Sequence, residues 1–397
     1  MGQPIRKSIQ EQNNIIHEEK PFYTLLIDGN NLLRISMKDT KTNGLGIHYG
    51  GIFQFFLQVK LMMRDYRYDY VYIVFDDADS GILRYNYYHE YKANRDKKYG
   101  QALNGEKSEY WKKYEATLKG MKDAIYRKNA QKGTKTQEEQ EIVDENFSRE
   151  RDIIMDYCEE LSIRTLFDDK TEGDDIIAYY VLHKKPEERI VIMSTDNDLT
   201  QLISPTVSVY NKQLKKYLSV KNFQKIKGIP VENVLIKKVF CGDASDNIGN
   251  IKGVSEARLI ELMPEIAERP VEIQEVKERA QKMIDERASE KKKPLQWHEN
   301  IIHGVSNKEY DGDFYEINEK IINLKKPLLT KEAQEQIESM MYAPMDPEGR
   351  SYENLYKRIC KDRIENLMDA NSFSSFFTPF KELSNRELQR YKNSEKN

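Results

Sequence analysis

The chain has 397 residues, with 63 Lys and Arg against 66 Asp and Glu for a formal net charge of −3, a length that suits one large α/β body with insertions or two joined domains. Hydrophobic residues make up only 39%, yet 25 tyrosines help bring the aromatic share to 10%, which argues for a packed core and against a disordered chain. No run approaches about 18 apolar residues, the opening MGQPIRKSIQEQNN has no signal-peptide pattern, and the three cysteines Cys158, Cys241 and Cys360 are far apart. No membrane span is therefore expected, and the cysteines read as core thiols of a reducing, cytoplasmic compartment.

Residues 1–21 read as a polar extension. The first core signal is FYTLLIDGNN, where Leu25, Leu26 and Ile27 run straight into Asp28 and Gly29, the pattern of a buried strand ending in a loop. GIFQFFLQVKLMMRDY predicts a helix, and YDYVYIVFDDADSG a second strand ending at Asp76 and Asp77. From Arg84 to Lys135 the apolar rhythm gives way to 14 basic and 6 acidic residues among tyrosines and glycines, too long for an ordinary connection. A helix from about Gln137 to Leu161, the strand IRTLF, a helix opened by TEGDDIIAYYV, the strand RIVIMST and the edge strand TVSVYNK follow. This alternation implies a mostly parallel central sheet flanked by helices, an α/β fold. Because ligands of open α/β sheets bind beyond the strands' carboxyl ends, the acids after the strands, Asp28, Asp76, Asp168 and Asp196, are expected to converge there.

Between Pro205 and Pro230 there are six lysines and no acid. Beyond Pro230, VENVLIKKVFCGDASDNIGNIKGVSEARLIELM reads as helix, glycine-bearing hairpin, helix, followed by helical sequence to about residue 380 and a loose polar tail at 381–397. The expected domains are thus an α/β core at 22–230 carrying the basic insertion 84–135, and a helical domain at 231–380.

Three acid clusters stand out. Glu172, Asp174 and Asp175 open a helix, where capping accounts for one or two carboxylates but three repel. Asp196 and Asp198 follow a buried strand with the spacing of a tight turn, and Asp243 and Asp246 precede the hairpin. With Asp28 and Asp76 they make nine candidate carboxylates without histidine or cysteine partners. Such an all-oxygen set selects Mg²⁺ or Mn²⁺ over zinc, and two such ions suit phosphodiester hydrolysis. Segregated basic stretches would offset the repulsion between that acidic site and a polyanion. No phosphate-binding Gly-x-x-x-x-Gly-Lys loop is present, and His48 and His89 lack ligand spacing.

The motifs LLIDGNNLL, VFDDADSGILRYNYYHEYKANR, TEGDDIIAYYV, IMSTDNDLTQLI and FCGDASDNIGNIKGV resemble, in this order, those of the structure-specific 5′-nucleases, the flap endonucleases and 5′ to 3′ exonucleases, and within that family the ribonuclease H branch of T-even-type bacteriophages. The resemblance implies a helical arch at the basic insertion and a helix-hairpin-helix after Pro230. It implies a first metal site of Asp28, Asp76, Glu172 and Asp174, with Asp174 near both ions, and a second of Asp175, Asp196, Asp198 and Asp243, with Asp246 outside. Lys92 and Arg95 would meet the scissile phosphate at the arch base, beside Tyr87, Tyr88 and Tyr91. Lys252, Gly253, Val254, Ser255 and Arg258 would hold the duplex. Ser255 stands where a second glycine is usual, which leaves a monovalent cation at the hairpin open. The implied activity is Mg²⁺-dependent 5′ to 3′ exonuclease, flap endonuclease and ribonuclease H cleavage at nicks, gaps and flaps during lagging-strand replication. The implied partners are branched or nicked DNA and RNA–DNA hybrids, bound by a monomer in the host-cell cytoplasm if the protein is phage-encoded. The phenylalanines Phe373, Phe376, Phe377 and Phe380 either pack on the C-terminal domain or dock a single-strand-binding protein or sliding clamp. A non-catalytic nucleic-acid-binding adaptor of the same fold and a single-strand RNase of the acidic α/β toxin type remain as alternatives.

Overall fold

The computed structural model describes residues 20–76, 80–93 and 137–396. Arg95, Asp77 and nearly all of the basic insertion lie outside the described residues. Six strands form one sheet: β1 (Phe22–Asp28), β2 (Tyr70–Val74), β3 (Arg164–Leu166), β4 (Glu188–Met193), β5 (Val207–Asn211) and β6 (Lys216–Leu218). Their order is β3-β2-β1-β4-β5-β6, parallel except for β6. The expected mostly parallel α/β sheet is therefore observed. The order reverses between β1 and β4, so the crevice beyond Asp28 and Met193 is the topological switch point where such sheets take ligands.

Side chains alternate across the sheet with the period of two that extended backbone imposes. Leu25, Ile27, Val71, Ile73, Val191 and Met193 enter one core layer, while Leu26, Tyr72, Val74, Ile190 and Ile192 enter the other. The first layer is covered by α1 (Gly29–Ser36), α2 (Gly50–Asp65) and α4 (Gln137–Glu160), the second by α5 (Gly173–Leu182). Tight βα packing makes Gly29 necessary, because a Cβ there would stand 2.6 Å from the Phe75 ring and 2.8 Å from Ile73. That close approach sets α1 directly on the end of β1 and fixes the preceding Asp28.

After the short helices α3 (Ile82–Tyr85) and α6 (Phe223–Lys227), residues 229–322 build a separate core. It holds α7 (Asn233–Cys241), α8 (Glu256–Leu262), α9 (Ile273–Ser289), α10 (Gln296–His303) and α11 (Phe314–Ile322), and also takes in Tyr88 and Tyr91. The helical region follows the expected helix-hairpin-helix, but the expected domain boundary at 380 does not. The chain returns to the sheet with α12 (Lys331–Met340), whose Ile337 joins the α5 layer. Next, α13 (Tyr352–Lys361) and α14 (Ala370–Ser394) pack on the α1–α2 layer.

Residues 381–397 are thus no loose tail as far as Lys396: Leu383 is buried, and the carboxylate of Glu387, inside α14, accepts from Arg164 Nη1 at 2.7 Å and Nη2 at 3.0 Å. Phe373, Phe376, Phe377 and Phe380 are buried, with Phe53 and Phe56 against them. Packing rather than partner docking accounts for these rings. No helix among the described residues is long and apolar enough to cross a membrane.

His48 assists the entry to α2. Its Nδ1 meets the buried Glu150 carboxylate, whose other oxygen accepts the Ile52 N–H at 2.9 Å. The hydrogen bond to Glu150 raises the imidazole pKa, against burial. A raised folded value means that this stabilisation is complete below the unfolded value of about 6.5 and fades as pH climbs through the folded one. The Tm difference between wild type and His48→Gln should accordingly shrink from about pH 6 to about pH 9. A difference constant across that range would show that the pair contributes no charge-dependent stability.

Candidate active site

Four chain segments deliver carboxylates to the switch point, and a fifth, the hairpin loop, adds Asp243 and Asp246 beside Asp198. Asp28 ends β1 and caps α1, accepting the Asn31 N–H at 3.0 Å and the Ser194 hydroxyl at 2.7 Å. Burial raises its pKa to about 7 despite these donors, with Asp76 and Asp196 adding repulsion. Asp76, two residues beyond β2, accepts the Gly173 N–H at the start of α5. A Cβ on Gly173 would lie 2.7 Å from that Asp76 oxygen, so glycine is what lets the helix terminus reach the acid. Asp174, in the first turn of α5, is raised well above the usual carboxylate range, first by burial and then by Asp196, Asp28, Asp76 and Asp198. It is the electrostatic centre of the group.

The turn after β4 is internally braced. Ser194 Oγ accepts the Asp196 N–H at 3.0 Å, Asp196 Oδ1 accepts the Asp198 N–H at 2.8 Å, and Asn31 Oδ1 accepts from Thr195 N–H at 3.1 Å and hydroxyl at 3.0 Å. Asp198 meets Asp243 and Asp246 from the hairpin domain: one carboxylate oxygen from each lies within 4.8 Å of the others. Burial raises Asp198 to about 6, with Lys238 opposing and Asp196 and Asp246 contributing. Asp243 behaves oppositely. Burial disfavours its charge, but Lys238 and Ser245 prevail and hold it at about 2.

Not all nine acids face this crevice in the same way. The two oxygens of Asp175 are taken by Arg84: Nη1 bonds Oδ2, and Nη2 bonds Oδ1 at 3.0 Å, where the Leu328 N–H also donates at 3.0 Å. Asp175, expected as a ligand, has its carboxylate engaged in a buried ion pair in this structure. Glu172 is similarly engaged, by Lys92, by Arg84 Nη1 at 2.8 Å and by the Tyr91 hydroxyl at 2.8 Å. Although burial opposes ionisation, Lys92 and Arg84 hold Glu172 at about 2. Glu172 sits at the edge of the acid group with its charge already compensated, and Asp168 lies apart, bonded to the Lys170 N–H at 3.1 Å and the Thr330 hydroxyl at 3.4 Å.

Lys92 is buried at φ 53, with its ammonium on Glu172 and its N–H on Asp246 O at 2.8 Å. The beginning of the basic insertion is therefore clamped between the acid group and the hairpin loop. Tyr88 adds to the clamp through its hydroxyl to Asn247 O at 3.1 Å and a stacked contact with Tyr310 at 4.5 Å. Tyr88 and Tyr91 are buried, so of the three expected tyrosines only Tyr87 is exposed, at 40%, with the Lys320 ammonium 4.1 Å over its ring.

At the hairpin Gly253 has φ +88, which favours glycine. Ser255 has φ −115 and caps α8 by accepting the Arg258 N–H at 3.3 Å. A serine fits here because the backbone needs no left-handed residue and the helix gains a cap. Val254 departs from the expected contact role: its side chain is 3% exposed and its N–H donates to Ile251 O. Lys252 and Arg258 are exposed, Arg258 lying across the Trp297 face at 5.8 Å.

Sequence reasoning missed Arg84, Lys238, Asn31 and Ser194. Asn31 and Ser194 adjoin the acidic motifs and are polar residues at the ends of buried strands, which was a usable signal. Lys238 precedes Asp243 by five residues on α7, while Arg84 gives no local signal because its acid partner lies 91 residues away.

Among the described residues the acids at the crevice offer only oxygens, and burial, with repulsion between neighbouring acids adding to it, raises Asp28, Asp174 and Asp198. Divalent cations fit this chemistry.

A family model described as "5'-3' exonuclease, N-terminal resolvase-like domain" matches residues 23–228. Among curated proteins, the chain is 32% identical over 115 residues to DNA polymerase I of Rhizobium leguminosarum, covering 27% of this chain and 11% of the relative. It is 36% identical over 86 residues to a 5'-3' exonuclease of Mycoplasmopsis pulmonis, covering 21% and 29%. The matches therefore span only a minor part of those relatives. Among solved structures, a variant of the bacteriophage T5 flap endonuclease, in a pseudo-enzyme-product complex with DNA and metal ions, superposes with a TM-score of 0.53 at 15% identity, over 92% of this chain and 99% of that one. T5 5'-exonuclease with bound zinc gives 0.52 at 17% identity, over 86% and 98%. These likenesses establish the fold.

Proposed function

From the premise that this chain belongs to the 5'-3' exonuclease family, we propose that it hydrolyses phosphodiesters at 5′ ends and flaps of DNA with two divalent ions. The observation that carries this reading is the convergence of Asp28, Asp76, Asp174, Asp196 and Asp198 on one crevice, where burial and then the charges of the other four acids push Asp174 well up. Asp28, Asp76 and Asp174, with Glu172 at the edge, would hold the first ion, and Asp196, Asp198 and Asp243, with Asp246, the second. Bound Mg²⁺, or Mn²⁺ in its place, supplies Lewis acidity and a water-derived nucleophile at neutral pH.

The protein's own groups position the substrate. Lys92, whose buried ammonium is bonded to Glu172, is proposed to turn to a phosphate that reaches the crevice, and Arg95 three residues later to act with it on the transition state. The exposed Lys252, Gly253, Ser255 and Arg258 would grip an unbroken duplex, whose phosphates need no base reading. The motif resemblance to the T-even branch supports a substrate range that includes RNA primers on DNA, hence ribonuclease H action in lagging-strand replication; the proposed form is a monomer, in the host-cell cytoplasm if the protein is phage-encoded.

The test is Mg²⁺-dependent release of short 5′ products from nicked and flapped duplexes, set beside blunt single-stranded RNA. Cleavage of the RNA alone would favour the toxin-type RNase, and duplex binding without cleavage in either Mg²⁺ or Mn²⁺ would favour the adaptor. For the hairpin, Gly253→Val forces a side chain onto φ +88 and to 3.2 Å from Trp297 Cβ. It should weaken duplex binding roughly tenfold at low salt, about the worth of one charge-assisted contact, and by less as salt rises. Equal affinity of a folded Gly253→Val protein for nicked duplex would remove the hairpin from the binding surface.

A further inference from the structure

Lys238 stands in the last turn of α7, and its ammonium lies between two of the three carboxylates that form the second acid group. It bonds Asp198 Oδ1 and lies 2.6 Å from Asp243 Oδ2, with its side chain 16% exposed. The flanking charges are otherwise committed. Asp243 Oδ1 accepts the Ser245 N–H and hydroxyl at 2.8 and 2.6 Å, Lys237 pairs with Glu256 at 2.6 Å, and Lys227 donates to Asn197 Oδ1 at 2.7 Å. The ammonium thus occupies the side of the group on which Asp198 and Asp243 would both face an ion.

We infer that Lys238 is a resident cation of the second metal group, one that a divalent ion must displace before Asp198 and Asp243 can bind it together. The inference rests on the two-ion reading above. An ammonium bonded to these oxygens and a Mg²⁺ about 2.1 Å from the same oxygens cannot coexist, because like charges would then share one set of ligands. Lysine suits the role: it is a compact charge on a flexible four-carbon stem, able to leave without moving the helix. Once displaced, it has lost both carboxylate partners and lies at the crevice rim, where a phosphodiester would be its next partner. Substrate and the second ion should therefore favour each other, and by linkage the effect must be reciprocal. Without nucleic acid the second ion should bind weakly, which would keep the crevice incompletely loaded until a 5′ end arrives.

The experiment is a calorimetric Mn²⁺ titration of the full chain without nucleic acid, on wild type, Lys238→Met, Lys238→Arg and Asp243→Asn. Wild type should show a tighter and a weaker class of site. Lys238→Met should tighten the weaker class by about tenfold or more, Lys238→Arg should not, and Asp243→Asn should lose that class. Weaker-class affinity unchanged or reduced in Lys238→Met, with Asp243→Asn still losing the class, would overturn the lysine's role alone. Wild-type binding in Asp243→Asn would overturn the second metal group and the inference with it. Should Lys238→Met fail to fold, the wild-type ammonium proton resonance that is missing from Lys238→Arg is followed by NMR during Mg²⁺ addition. Its shift on saturation supports displacement, and its persistence unchanged refutes it.

Discussion

Asp174→Asn should lower cleavage of a flapped duplex by more than about 100-fold, the upper loss typical when merely an outer partner of a metal site is changed, while the metal-free protein unfolds at the same temperature as wild type or higher. The two halves of this result have one cause. Asp174 is where burial and the charges of Asp196, Asp28, Asp76 and Asp198 meet, so in the absence of a cation its ionised form is a net cost to the fold. Asparagine keeps the shape and removes the charge. The same substitution should therefore shrink the rise in Tm that Mg²⁺ gives the wild type, because a ligand that binds only the folded state stabilises it by mass action. Thermal unfolding in EDTA and in Mg²⁺, beside a single-turnover cleavage assay, separates the effects. Turnover close to wild type in Asp174→Asn would remove Asp174 from the chemistry, and an undiminished Mg²⁺ shift would remove it from the ion.

The parts of this site that could be read from sequence are those where local pattern and function coincide. Apolar runs ending in an acid, as at Ile27–Asp28 and Met193–Asp196, identify both the strand and the direction in which its end points, and parallel pairing then brings the acids together. The cations were not readable in the same way. Arg84 belongs to a segment with 14 basic residues, and only the fold selects it from that segment to satisfy Asp175 and Glu172. Lys238 sits in the amphipathic helix VLIKKVFC, where either adjacent lysine would pass for a solvated charge.

The C-terminal misreading has a different physical origin. Polar composition from Lys381 onward suggests a loose end, yet Phe373, Phe376, Phe377, Phe380, Leu383 and Glu387 fall at spacings of three and four and are all buried. One stripe of a long helix is enough to dock it, and the remaining faces can be as polar as a disordered tail. The buried charge in that stripe, Glu387, is invisible as a core residue until Arg164 of β3 is placed against it.

Arg84→Met should be the most destabilising single change at the crevice, costing roughly 3–5 kcal/mol, the range for removing one partner of a buried ion pair. Arg84 is 5% exposed and joins three regions. Its Nη atoms hold Asp175 and Glu172 on α5 and its N-cap, its Nε donates to Ile321 O of α11 at 2.7 Å, and it begins the segment that leads into the basic insertion. Methionine fills much of the same volume, so the loss falls on charge. Asp175 would retain the Leu328 N–H as a donor, whereas Glu172 would keep Lys92 and Tyr91. Adding Asp175→Asn to Arg84→Met should then recover part of the loss, since the stranded charge is the source of the cost, and urea denaturation of the four proteins in the cycle measures that coupling. The metal dependence gives the sharper result. Because Asp175 is committed to Arg84 rather than to the ion, Mg²⁺ should raise the stability of Arg84→Met by no more than it raises that of wild type. A markedly larger Mg²⁺ stabilisation of the variant would mean that Asp175, once released, binds the ion, and the pair with Arg84 would then be a competitor of metal binding instead of a strut beneath it.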